Sequence, residues 1–311
     1  MKYGFGIDIG GTTVKLGLFD ETGTLLEKWE IPTVTANGGE EILPQIAAAV
    51  EGCLQQRNIP KESVFGIGLG VPGAVSRDGT VNRCINLGWG VRNVAKELFR
   101  LTGIPVTVGN DANLAALGEA WRSGCDNMLM VTFGTGVGGG IVLDGKPLYG
   151  AHGAAGEIGH ITLAAEGGYP CPCGKRGCAE QYCSATAIVR LAKEQLEKTQ
   201  TGSMLRIEDL SCKDVLDAGK AGDPIAGAVM EQVFAYMGRF IADACCAVDP
   251  EQVIIGGGVS KAGQYLLEGI RPYFRKYIFH ASADTTFSLA KLGNDAGIYG
   301  AVKLAMDGIS R

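Results

Sequence analysis

The stretch "YGFGIDIGGTTVKLGLFDETG", residues 3–23, reads as an apolar strand, a glycine turn, a second strand and a polar turn. The same plan returns at residues 128–145, "MLMVTFGTGVGGGIVLDG", where two apolar runs flank a Gly/Thr-rich turn and the second ends in Asp-Gly. Two such hairpins, each opening one half of the chain, point to an internal repeat and to duplicated domains facing each other. Between them, "SVFGIGLGVPGAV" reads as a buried strand closed by a Pro-Gly turn, and "VTVGNDANLAALGEAW" as a strand followed by a helix. Asp111 and Asn113 are the candidate N-caps of that helix. "QVIIGGGVS" is another strand ending in glycines; helical periodicity covers roughly 185–197, 224–247 and 262–276, and "DAGIYGAVKLAMDGI" closes the chain as a helix. Strands alternating with helices make this an α/β protein.

The glycine turns have two readings. Gly134, Gly136 and Gly139 satisfy G-x-G-x-x-G, but a dinucleotide turn needs a helix next, and the β-type segment "GGIVLDGKPLYG" follows instead. No G-x-x-x-x-G-K-[ST] loop occurs. Backbone N–H groups joined by the hydroxyls of Thr12, Thr13 and Thr135 suit a cradle for phosphate oxygens; without a ligand they are simply tight turns. Two matched copies bearing threonines favour the cradle. Glycine makes up 48 of 311 residues, about twice the usual share, and is placed at the ends of apolar runs, where backbone turns sharply or approaches a ligand.

Composition excludes several classes. A chain of 311 residues is long enough for two domains with ordinary hydrophobic cores. The start "MKYGFGIDIG" has no signal-peptide pattern, every apolar run is broken before it reaches bilayer length, and a cytoplasmic location is expected. A net charge of −5 with no basic run argues against a nucleic-acid surface. Ten cysteines without an export signal are expected to be reduced thiols rather than a disulfide framework. Seven lie apart in apolar or mixed surroundings and read as small core residues. The other three stand together in "CPCGKRGC", residues 171–178, and ask for a separate explanation.

"DIGGTTVK", "GVPG", "NDAN", "GTGVGGG", "GEIGH", "CPCGKRGCAE" and "GGGVS" follow one another in an order and spacing that resemble the ROK family of bacterial sugar kinases and repressors. The resemblance runs from about Ile7 to the C-terminus, and "INLGW" at 85–89 is similar to the glucokinase branch. It implies an actin/hexokinase-like ATPase fold, with two ribonuclease H-like domains around a cleft and the C-terminal helix packed back on the N-terminal domain. The corresponding boundaries are residues 1–118 with 296–311 for a small domain and 119–295 for a large one carrying a zinc site. The activity implied is ATP-dependent phosphorylation of a hexose at the 6-hydroxyl, D-glucose first, with N-acetylmannosamine, N-acetylglucosamine, fructose and allose as alternatives. Polyphosphate stays open as donor, and a homodimer is the implied assembly. The family's repressors carry a helix-turn-helix ahead of the first hairpin, where only six residues precede Ile7 here, so that reading is disfavoured.

The resemblance also assigns residues. A structural Zn²⁺ falls to His160, Cys171, Cys173 and Cys178; three soft thiolates and an imidazole make a common closed tetrahedral set. Glu157, His160 and Glu180 would bind sugar hydroxyls, with Asn110 beside them, although a glutamate taken alone is usually a solvated surface charge. Asp111 would take the 6-hydroxyl proton; its bland alternative is the helix cap. Asp8 would anchor the Mg²⁺ of ATP through water. Gly10, Gly11, Thr12, Thr13 and Lys15 from one domain, and Thr135 and Gly136 from the other, would hold phosphates, with Gly257 and Gly258 against the nucleoside.

Overall fold

The computed structural model describes residues 1–199 and 202–309; positions 310 and 311, the end of the 296–311 segment, lie outside the described residues. In chain order the elements are β1 (Tyr3–Ile9), β2 (Thr13–Asp20), β3 (Leu25–Pro32), α1 (Ala36–Gly39), α2 (Ile42–Gln56), β4 (Val64–Val71), β5 (Thr80–Val81), β6 (Arg92–Asn93), α3 (Val94–Thr102), β7 (Val106–Asn110) and α4 (Asp111–Ser123). They continue with β8 (Met128–Phe133), β9 (Val137–Leu143), β10 (Lys146–Pro147), α5 (Glu180–Cys183), α6 (Ala185–Lys198), α7 (Cys212–Lys220), α8 (Pro224–Val248), β11 (Gln252–Gly256), α9 (Gln264–Tyr277), β12 (Thr286–Leu289) and α10 (Ala296–Ile309). The three long helical patterns thus appear as α6, α8 and α9. Of the described helices, none is long and apolar enough to cross a membrane.

Two five-stranded sheets share one plan, β3-β2-β1-β4-β7 and β10-β9-β8-β11-β12. In each, a hairpin opens the sheet and strands from later in the chain add to its first strand in parallel, β4 to β1 and β11 to β8. The repeat read from the two glycine hairpins is therefore a repeat of sheet order. Contacts divide the chain into one unit of 1–126, 142–155 and 294–311, and another of 127–141 and 156–293.

In the first unit Phe5, Ile7 and Ile9 from β1 and Leu16 and Leu18 from β2 are fully buried in a core shared with α2 and α3. The sheet's other face receives α10, and its glycines decide how closely. Gly6 lies opposite Gly17 on one neighbour and Gly68 on the other. A Cβ at Gly6 would come 2.0 Å from the carbonyl oxygen of Ile298, and one at Gly68 only 1.7 Å from that of Ala301. On the far side of α10 the pattern repeats: a Cβ at Gly300 would sit 1.7 Å from the Leu114 carbonyl oxygen, and one at Gly118 2.3 Å from that of Ala296. The expectation that glycines mark run ends is corrected for these positions. They are mid-strand and mid-helix seats that let α10 lie backbone to backbone between the sheet and α4.

Candidate active site

In the first unit, strand register gathers the carboxylates. Asp8 pairs with Gly70, Gly70 with Gly109 and Val71 with Asn110, so β1, β4 and β7 end along one line. Asp8 and the Asn110–Asp111 pair stand at the carboxyl ends of parallel strands, the edge where open α/β sheets take ligands.

The helix start differs from the expectation. Asn110, in extended conformation at φ −67° and ψ 140°, is the N-cap of α4, its Oδ1 accepting from the Asn113 backbone N–H at 3.1 Å. Asp111 is the first helical residue, with Oδ1 accepting from Ala112 N–H at 2.8 Å and from Asn110 Nδ2 at 3.0 Å; Asn113 is buried in the first turn. Because β7 runs extended through Asn110, the cap falls there, and neither Asp111 nor Asn113 fills it. The Asn110 amide also donates to the Gly73 carbonyl at 3.0 Å, tying the Pro-Gly turn to the helix start.

Burial, then the nearby charge of Asp111, push the Asp8 carboxyl up to about 6, with Lys15 opposing them. A second carboxylate beside Asp8 disfavours its ionisation, and a hard divalent cation with oxygen ligands answers that charge, so these residues fit Mg²⁺. Lys15 lies directly across from Asp8 in the β1–β2 pair and donates from Nζ to the Asn294 carbonyl at 2.8 Å. The turn between these strands is closed by Gly10 N–H to Thr13 carbonyl at 2.9 Å and braced by Thr33, whose N–H and hydroxyl donate to the carbonyls of Thr12 and Gly10. Gly11 and Thr12 are exposed, and a Cβ at Gly11 would meet nothing within 4 Å.

The second unit holds the remaining residues. His160, Cys171, Cys173 and Cys178 bring their ligand atoms within 4.8 Å of one another. Cys173 and Cys178 sulfurs are 3.6 Å apart, and Cys171 Sγ is 3.6 Å from His160 Nδ1. A tetrahedral zinc at about 2.3 Å from sulfur and 2.0–2.1 Å from nitrogen sets such edges at roughly 3.5–3.8 Å, so the donor set fits. Left-handed glycines shape the loop, Gly174 at φ 89° and Gly177 at φ 75°, and a Cβ at Gly177 would strike the Ala164 carbonyl. With Nδ1 facing sulfur, His160 Nε2 is turned toward Glu157, 3.8 Å from its Oε2.

Glu180 joins this cluster to the second glycine turn. One oxygen is 3.9 Å from Cys171 Sγ, and the other accepts from Val137 N–H at 3.2 Å, directly over Gly136. Gly134 N–H closes the turn onto the Gly136 carbonyl, and Thr186 Oγ1 donates to the carbonyl of the exposed Thr135 at 2.9 Å. Gly257, at φ 81°, has the Phe133 carbonyl 2.4 Å from where a Cβ would be, whereas at Gly258 nothing lies within 4 Å. The contact partners Val137 and Thr186, and Lys175, which donates from Nζ to the His160 carbonyl at 2.7 Å, escaped the sequence reading. Val137 and Lys175 stand inside quoted motifs but as the positions between the recognised residues, Val137 acting through its backbone N–H and Lys175 through its ammonium, while Thr186 reaches in from α6.

Two sheets of one order, each opened by a glycine hairpin and carrying polar residues at its strand ends, place the molecule among actin/hexokinase-like ATPase folds. The chain belongs to the ROK family, whose description matches residues 4–308. It is 44% identical over 304 residues to a glucokinase of Halalkalibacterium halodurans, covering 95% of this chain and 92% of that one. Among solved structures it is similar to a ROK family glucokinase from Streptomyces griseus in complex with glucose and AMPPNP (TM-score 0.74, 34% identity, 98% and 100% of the two chains covered). It is similar also to a ROK hexokinase from Thermus thermophilus (TM-score 0.80, 33% identity, 99% of each chain).

Proposed function

We propose that the protein is an ATP-dependent glucokinase, transferring the γ-phosphoryl group of ATP to the 6-hydroxyl of D-glucose. The observation that carries this reading is a pair of neighbouring, half-buried carboxylates at strand ends, Asp8 and Asp111, in a chain 44% identical to a glucokinase over 95% of its length. In the proposed reaction the 6-oxygen forms a bond to the γ-phosphorus, the bond from phosphorus to the ADP oxygen breaks, and Asp111 accepts the hydroxyl proton. Asp111 suits this role because the cap of α4 is supplied by Asn110. Mg²⁺ bound with the nucleotide would neutralise charge on the phosphates, with Asp8 as its anchor on the protein.

Gly10, Gly11, Thr12, Thr13 and Lys15, with Thr135 and Gly136, are assigned to the phosphates, and Gly257 and Gly258 to the nucleoside. Glu157, His160 and Glu180 are assigned to the sugar hydroxyls, which a carboxylate accepts in charge-assisted hydrogen bonds; Asn110, held by its cap and by Gly73, is assigned to the sugar as well. A homodimer in the cytoplasm completes the reading.

A coupled assay of ADP release across hexoses and N-acetylhexosamines tests the substrate. D-glucose is expected to give the highest kcat/KM, because an N-acetyl group at C2 brings bulk and an amide that a pocket shaped for a hydroxyl rejects. N-acetylmannosamine matching glucose would move the protein to another sugar-kinase branch while leaving the mechanism in place.

Zinc serves the sugar site in this reading by fixing the loop that carries His160 and lies against Glu180. Elemental analysis of the purified protein is expected to find one zinc per chain. Cys173→Ala, at the exposed corner of the cluster, should release the metal and raise the glucose KM about tenfold. A zinc-free protein with full sugar affinity would remove the metal from the account.

A further inference from the structure

We propose that Gly297, in the first turn of α10, is a positioning residue that seats the carboxylate of Asp8; this rests on the reading of Asp8 as the Mg²⁺ anchor. A Cβ at Gly297 would lie 2.5 Å from Asp8 Oδ2 and 2.6 Å from its Cγ, so the carboxylate rests on the bare backbone of the helix. Gly70, paired with Asp8 on the neighbouring strand β4, borders the same carboxylate more loosely: a Cβ there would come 3.1 Å from Oδ1, a contact that a shift of a few tenths of an ångström relieves. Asp is too short to yield by bending its far end, as a lysine or methionine would, so a methyl group at Gly297 has to displace the carboxylate itself. Gly297 differs in this from its helical neighbour Gly300, whose missing Cβ makes room for backbone, the carbonyl of Leu114. A helix laid down by the last residues of the chain thus sets the position of a side chain on its first strand.

The test measures metal binding apart from turnover. The affinity for Mn²⁺, read by electron paramagnetic resonance with AMPPNP present, is expected to weaken about tenfold in Gly297→Ala. The Mg²⁺ activation constant should rise by about the same factor, with kcat at saturating Mg²⁺ within about threefold of the parent. Alanine is the better helix former and offsets part of the strain of the displaced carboxylate, so the Tm should fall by only a few degrees. Gly300→Ala, which sets a Cβ against backbone, should lower Tm more, with Mn²⁺ affinity within about twofold of the parent. Mn²⁺ affinity and Mg²⁺ activation both unmoved in Gly297→Ala would overturn the assignment, as would an equal loss of Mn²⁺ affinity in Gly300→Ala. Should Gly297→Ala not fold, Gly70→Ala decides, with a loss of about threefold expected and no loss overturning the proposal. Asp8→Asn separates the two layers. If it leaves Mn²⁺ affinity unchanged, Asp8 is not the anchor; if it weakens binding while the glycine variants do not, only the seat is wrong.

Discussion

Replacing Asp111 by Asn is expected to lower kcat by about two orders of magnitude or more, with Tm and glucose affinity nearly unchanged. An amide cannot accept the hydroxyl proton, whereas its oxygen can still take the hydrogen bond from Ala112 N–H. The cap of α4 is untouched because Asn110 provides it. What the helix loses is one negative charge in its first turn, worth about 0.3–1 kcal/mol. Thermal melting and glucose binding, measured beside turnover, isolate the chemistry. A variant that folds, binds glucose and turns over within a few-fold of the parent would strike Asp111 from the mechanism.

Asp8→Asn is expected to move stability and activity in opposite directions. The native carboxyl titrates near 6 instead of its ordinary 3.8. Between those values the folded chain holds a proton that the unfolded chain has released, so stability falls as pH rises from about 4 to about 6 and stays lowered above. The gap corresponds to about 3 kcal/mol at neutral pH. Asparagine carries no such charge. In metal-free buffer at pH 7 the variant should therefore melt at higher temperature than the parent, and the advantage should vanish below about pH 4. Activity should drop about a hundredfold, because the metal loses its anchor. Parallel pH–Tm curves for the two proteins would show that Asp8 stores no such charge penalty.

The long helices α6, α8 and α9 were legible from periodicity because a helix face is written by residues three and four apart. Both glycine hairpins were legible for the same local reason, and the match between them extended to the order of whole sheets. The three thiols and His160 were legible as a candidate ligand set once the family resemblance joined residues eleven or more positions apart, and folding brings them within 4.8 Å. The start of α4 was misplaced by a residue, since whether Asn110 or Asp111 caps depends on how far β7 stays extended, and its pairing with Val71 decides that.

What the sequence by itself determined, then, is whatever neighbouring residues impose on one another: strand and helix periods, turns, and the order of the motifs. Only the tertiary structure decided what each glycine is for. Gly11 lies exposed in a turn, Gly6 and Gly68 seat a helix, and Gly70 and Gly297 border a carboxylate. In the sequence all five are the same residue in similar company. The difference is the atom that occupies the space a side chain would have taken, and apart from turns that atom belongs to a segment far away along the chain, where no local pattern reaches.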